Sequence, residues 1–133
     1  MNRVAVAIQI AGIVHWVLAA ANLFLPGTLQ YRENLARVPA IIRQIFVVHS
    51  VYIVMVLLLF GGLCLGFAPE LAGGSALGRY LPACLAGFWL LRLPLQWFYF
   101  DREVRRRHRL GDVTYTAAAV FLAGLFMLAV WVR

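Results

Sequence analysis

The chain of 133 residues is 64% hydrophobic and 13% charged, whereas a soluble domain is about half apolar and a quarter charged. This composition excludes an ordinary soluble domain and predicts an integral membrane protein, which we place in a bacterial inner (plasma) membrane. The net charge of +7 comes from arginine alone, since the chain has no lysine. Because most of these arginines lie beside apolar stretches, we expect them to contact the lipid bilayer and its anionic lipids, and we expect no nucleic acid partner.

Four apolar stretches of 20 to 22 residues follow one another along the chain. Each matches the roughly 20 helical residues that cross a bilayer core of about 30 Å. They cover residues 4–25, 45–66, 80–100 and 113–132. Lipid cannot satisfy exposed backbone groups and no alternating strand pattern is present, so these spans are predicted to be helices. The expected fold is all-α, a polytopic four-transmembrane-helix bundle that forms a single transmembrane domain over residues 1–133.

Prolines and glycines predict where the helices stop. The first span is expected to end at Pro26, and Pro94 in the third removes one backbone hydrogen bond and should kink that helix. Beyond Phe100 a run of good helix formers predicts that the third helix continues about 15 Å past the bilayer. Gly111 then suits the C-cap of that helix, and Asp112 suits the N-cap of the fourth.

The arginines predict the orientation of the chain. Eight of them lie in the connections 26–44 and 101–112, against three on the opposite side. The positive-inside rule therefore predicts that both connections are cytoplasmic loops and that both termini lie on the non-cytoplasmic side. Five arginines of the second loop are expected to contact lipid head groups: Arg102, Arg105, Arg106, Arg107 and Arg109.

A small set of polar and tyrosine side chains interrupts the spans. Such groups are costly in hydrocarbon and tend to be kept for function, so we predict that they line one intramembrane pocket that opens to the cytoplasmic side. The predicted pocket residues are His15, Asn22, His49, Tyr52, Arg92, Gln96 and Tyr99. Helical spacing places His15 and Asn22 on one face and Arg92, Gln96 and Tyr99 on another. The His, Asn, Arg and Gln side chains are expected about 5 to 15 Å below the boundary.

Arg92 is the most informative of these residues. An arginine at a helix centre costs about 2.5–3.5 kcal/mol and cannot escape by losing its proton. No acidic residue is expected at its depth, so the sequence favours a hydrated cavity or a ligand that brings negative charge or carbonyl oxygens. The alternative is that Gln96 and the helix carbonyls freed at Pro94 satisfy the guanidinium.

The residue types of the predicted pocket suggest three kinds of ligand. His15 and His49 on neighbouring helices could supply the axial nitrogens of haem b, although a structural histidine is the simpler interpretation. A quinone or a lipid-derived ligand fits the mixture of donors and tryptophan walls better. A metal site is not expected, because no carboxylate or thiolate is placed to complete one.

Three function classes follow from this sequence. The favoured one is a small membrane protein that binds a quinone-, lipid- or haem-type ligand. The second is an accessory or assembly subunit with a membrane-protein partner, and the third is a small transporter or channel built as a homo-oligomer. The sequence contains no recognised catalytic motif. An enzymatic role is left open all the same. Cys64 and Cys84 fit either a disulfide or two separate small hydrophobic side chains.

Overall fold

The computed structural model of the protein describes residues 2–132, and that part of the chain is helical, with no strand. The all-α prediction is confirmed. Seven α-helices and one π-helical segment follow in chain order. They are α1 (Arg3–Thr28), α2 (Tyr31–Leu35), α3 (Ala40–Gly66), α4 (Ala68–Leu71), α5 (Ala76–Pro94), the π segment (Leu95–Tyr99), α6 (Arg102–Arg107) and α7 (Arg109–Trp131).

Three of the described helices are long and apolar enough to cross a membrane, namely α1, α3 and α7, with 26, 27 and 23 residues. At 1.5 Å per residue they measure about 35 to 40 Å, more than the roughly 30 Å of a hydrocarbon core. Helix α5 is not among them. It carries Arg79 and Arg92 and has Pro82 and Pro94 inside it, which lower its apolar character. The count of four spans therefore stays a prediction.

The first two long helices extend beyond their predicted limits. Helix α1 does not stop at Pro26 but runs to Thr28, because a proline in the last turn removes only one hydrogen bond. The chain then turns at Gln30, whose φ of 50° is left-handed. Helix α3 begins at Ala40, five residues earlier than expected, because the Pro39 carbonyl accepts one of its first backbone hydrogen bonds.

The third predicted helix does not continue beyond Phe100 as one helix. Helix α5 ends at Pro94, the π segment follows, and Phe100 is extended, with φ −75° and ψ 141°. The Asp101 carboxylate then accepts hydrogen bonds from the first backbone N–H groups of α6 at 2.7 and 3.3 Å. The prediction that the third helix continues beyond Phe100 was therefore wrong. The Asp101 side chain caps a new helix at a place where helix propensity alone predicts a continuous one.

The two residues predicted as helix caps lie inside α7 instead. This helix begins at Arg109, and its N-cap residue is His108, with φ −111° and ψ 42°. Asp112 belongs to the first turn of α7, where a carboxylate is favourable beside the positive end of the helix dipole. Gly111 lies in the same turn and ends no helix.

The contacts divide the chain into two compact units. We call residues 2–11 and 67–132 the terminal unit and residues 12–66 the hairpin unit. In the terminal unit α5 packs on α7, and the largest fully buried side chains there include Trp89, Leu122 and Phe126. The buried positions of α7 recur at spacings of three and four residues, as expected for one helix face. The single transmembrane domain stays a prediction.

In the hairpin unit, α1 and α3 approach closely at two glycines. A Cβ atom on Gly12 would lie 3.0 Å from the Gly61 carbonyl oxygen and 2.8 Å from Leu65 Cγ. The Trp16 indole N–H donates to the Leu58 carbonyl at 3.2 Å. Small residues allow this close packing of helix backbones. Elsewhere α3 is largely uncovered, with 11% of its most apolar stretch buried.

The two cysteines form no disulfide. Cys64 is buried on α3 and Cys84 is exposed on α5, and both thiols are free. Of the two alternatives that the sequence allows, the structure therefore has the separate thiols.

Candidate functional site

Arg92 lies in the last turn of α5, with its guanidinium between two aromatic rings. Its Cζ atom is 4.9 Å from the centroid of the Phe100 ring and 4.9 Å from that of the Tyr115 ring. Both distances are typical of cation–π contacts. Within residues 2–132 the Arg92 side chain forms no hydrogen bond or ion pair. Its N–H donors are therefore available to an acceptor that the described chain does not supply.

The depth of Arg92 in a bilayer stays a prediction, while the contacts of its guanidinium are given by the structure. Counting residues from Phe100 places its Cα about 12 Å below the boundary, yet the guanidinium contacts the Phe100 ring itself. Its second neighbour, Tyr115, lies less than one turn inside the predicted fourth span. The guanidinium therefore lies beside residues at the predicted ends of two spans, and long arginine side chains commonly extend along apolar surface in this way.

Gln96 takes part in a separate hydrogen-bond network with Asp112. Gln96 is 8% exposed, and its amide donates to Asp112 Oδ1 at 2.5 Å. Arg105 donates to both oxygens of the same carboxylate, from Nε at 3.1 Å and from Nη2 at 3.3 Å. It also donates to the Trp97 carbonyl at 3.4 Å. The Arg105–Asp112 pair is bidentate, the arrangement that gives arginine–carboxylate contacts their geometric specificity. With the Gln96 and Trp97 contacts, the network joins the π segment to α6 and α7.

The π segment explains which predicted residues come together here. Arg92 and Tyr99 are seven residues apart and would share a face of a regular α-helix. The wider turn of the π segment changes that register, and Tyr99 is 82% exposed. The structure thus places Gln96 in the network and leaves Tyr99 outside it, which corrects the shared stripe predicted from spacing.

In the arginine-rich segment, residues 102–109, one arginine makes an internal contact and the others are exposed. Arg105 is occupied by Asp112, and the two side chains are 25% and 15% exposed. Arg107 pairs with Glu103 at 3.1 Å on the open surface, where such pairs contribute little to stability. Lipid head-group contact stays a prediction for the exposed members of the run. These are Arg102, Arg106, Arg107 and Arg109.

Two of the predicted pocket residues lie on α1 in the hairpin unit. His15 is fully buried, and its ring meets Phe60 edge to face with centroids 5.8 Å apart. Asn22 donates to the Leu18 carbonyl of its own helix at 2.8 Å. It also lines a cavity of about 210 Å³ that includes Tyr31. Burial raises the pKa of the Tyr31 phenol above its usual value.

The remaining two pocket residues, His49 and Tyr52, are exposed on α3. His49 Nδ1 lies 2.8 Å from the carbonyl oxygen of Ile45 in its own helix. His15 packs at the level of Phe60, and His49 precedes Phe60 by eleven residues, or about 16 Å along α3. Two axial ligands of one haem must flank the same iron atom. The structure therefore does not bring His15 and His49 together as such a pair.

Sequence reasoning missed three residues beside Arg92 and Gln96. Phe100 and Tyr115 were treated as ordinary span residues, and Asp112 was treated only as a cap. Asp112 seemed distant because the third helix was expected to continue straight into the loop. One signal was available in the sequence, because Asp112 and Tyr115 are three residues apart and therefore share a helix face.

No family model, curated protein or solved structure matches the chain. We define the arginine site as Arg92 with the rings of Phe100 and Tyr115, together with the Gln96–Asp112–Arg105 network beside it.

Proposed function

We propose that the protein is a small integral membrane protein that binds a lipid-soluble ligand at the arginine site. The ligand carries an anionic or carbonyl oxygen, as an anionic lipid or a quinone does. One observation carries the proposal, namely that the Arg92 guanidinium has rings on two sides and no acceptor within residues 2–132. A guanidinium offers five N–H donors in a planar fork that suits such oxygens.

The charges around the site support a ligand with a single anionic or carbonyl group. Arg105 is neutralised by Asp112, and the Gln96 amide donates to the same carboxylate. Of the two arginines of the site, Arg92 is therefore the one whose N–H donors remain available to a ligand. The Phe100 and Tyr115 rings add apolar walls, which favour a ligand with a hydrophobic body over a free inorganic ion.

We further propose a topology of four spans with the arginine site at the cytoplasmic side of a bacterial inner membrane. Helix α5 and the π segment together run from Ala76 to Tyr99, which exceeds the roughly 20 residues needed for the additional span. The excess of arginine in the connections after α1 and after the π segment supports this orientation. Both termini then lie on the non-cytoplasmic side.

Native mass spectrometry of the detergent-extracted protein tests the ligand proposal. We expect the wild type to retain a lipid-soluble molecule, whose mass distinguishes an anionic lipid from a quinone. Arg92→Gln should reduce that retention about tenfold or more, since hydrogen bonds to a charged group contribute about 1.5–3 kcal/mol. Arg92→Lys should retain an intermediate amount, because it keeps the charge without the fork.

Arg79→Gln is the matched control for this experiment. Arg79 lies in the first turn of the same helix, α5, and is exposed, so its replacement should leave ligand retention at the wild-type level. A wild-type protein that carries no ligand, or equal losses in Arg79→Gln and Arg92→Gln, would contradict the proposal.

A second candidate function, an accessory subunit of a larger membrane complex, is favoured by the uncovered surface of α3. This helix is long and apolar, yet 11% of its most apolar stretch is buried, and it exposes His49 and Tyr52. A photo-reactive residue at position 52 should then crosslink a partner protein in the native membrane. Lipid adducts alone at that position would contradict the subunit role.

A further inference from the structure

A groove of about 510 Å³ lies in the terminal unit, along the start of α1 and the C-terminal half of α7. Val4 and Ala7 contribute from α1, and the α7 side runs from Val120 to Val132. Arg3 is a further lining residue of the groove, and it is charged. None of these residues belongs to the arginine site.

The groove is open because α7 has a glycine in its wall. A Cβ atom built on Gly124 would meet no atom within 4 Å, so a side chain at this position would enter the groove without touching the protein. From Val120 to Val132 the groove extends about 18 Å along the helix. One leaflet of a hydrocarbon core is about 15 Å thick. The groove is therefore about as long as one leaflet is deep.

We propose that this groove binds one acyl chain of an anionic phospholipid, whose phosphate contacts Arg3. The walls are almost entirely apolar, so they offer a hydrocarbon chain contact area and offer a polar ligand few partners. Among residues 2–132, the cationic side chain that lines the groove is Arg3, and it can contact the head group of a lipid whose chain fills the groove. An arginine there complements a phosphate in both charge and geometry.

Gly124→Leu is the direct test, with Gly87→Leu as the matched control. Gly87 lies on α5 in the same unit and also has open space around an added Cβ, but it does not line the groove. Delipidated protein is incubated with phosphatidylglycerol or with phosphatidylcholine, and bound lipid is counted by native mass spectrometry. We expect Gly124→Leu to lose at least about tenfold in phosphatidylglycerol retention, and Gly87→Leu to match the wild type.

Arg3→Gln tests the head-group contact without altering the apolar wall of the groove. In an Arg92→Gln background, where the arginine site no longer contacts an anionic lipid, the protein should prefer phosphatidylglycerol to phosphatidylcholine, and adding Arg3→Gln should remove that preference. Arg92→Gln should leave this lipid in place, which separates the groove from the arginine site. Unchanged retention in Gly124→Leu, or an equal loss in Gly87→Leu, would overturn the proposal. A change from dimer to monomer in Gly124→Leu would assign the groove to a second copy and overturn it as well.

Discussion

Replacement of Gly61 by leucine is expected to lower the free energy of unfolding by about 3 kcal/mol, at the upper end of the usual cost of overpacking. A Cβ atom on Gly61 would collide with the Trp16 indole and lie 3.0 Å from the Gly12 carbonyl oxygen. One of these neighbours is backbone and cannot turn away. The substitution must therefore separate α1 from α3 in the hairpin unit and break the hydrogen bond from Trp16 to Leu58.

The adjacent Gly62 provides an internal control for this prediction. A Cβ atom on Gly62 would meet nothing within 4 Å, so Gly62→Leu should change stability by less than about 0.5 kcal/mol. Denaturant unfolding in mixed micelles, followed by circular dichroism, compares the two variants. Equal stabilities for Gly61→Leu and Gly62→Leu would show that the close approach of the two helices is absent.

Replacement of Asp112 by alanine is expected to cost about 2 kcal/mol, because it removes the acceptor of three hydrogen bonds at once. The Gln96 amide and the Arg105 guanidinium would both lose their partner in a partly buried position. Arg105 is 25% exposed, so water can hydrate it in part, and the cost should fall below that of breaking a fully buried pair.

Glu103→Ala is the matched control for the loss of stability in Asp112→Ala. Glu103 pairs with Arg107 on the open surface, so its loss should leave the unfolding transition unchanged. A double-mutant cycle of Asp112→Ala with Arg105→Gln then isolates the coupling between the pair. Additive effects in that cycle would mean that the ion pair contributes nothing to the fold.

Hydropathy predicted the long helices well, because the length of an apolar run is a direct requirement of a bilayer core. Hydropathy did not predict where these helices end, because helix ends depend on single backbone hydrogen bonds. The break after the π segment depends on Pro94 and on the Asp101 cap, and the residues that follow, Glu103 to Arg107, are good helix formers in either structure. Propensity alone therefore could not distinguish a continuous helix from two.

The sequence predicted Arg92, the central residue of the candidate site, but it did not predict the residues that contact Arg92. Arg92 and Gln96 stood out because polar groups are costly in lipid. Their neighbours Tyr115 and Asp112 come from α7, so they depend on how the chain returns after Phe100. His15 and His49 show the same limitation, since the register of α1 against α3 is set by close packing at Gly12 and not by helix periodicity.

The hydrogen bonding of the Arg92 guanidinium is the most direct test of the proposed function. The Arg92 Nε–Hε signal can be followed by NMR in delipidated protein and assigned by its loss in Arg92→Lys. We predict that it shifts and saturates as the ligand identified by mass spectrometry is added, while the Arg105 signal stays in place. A titration that leaves the Arg92 signal unmoved would contradict ligand binding at this site.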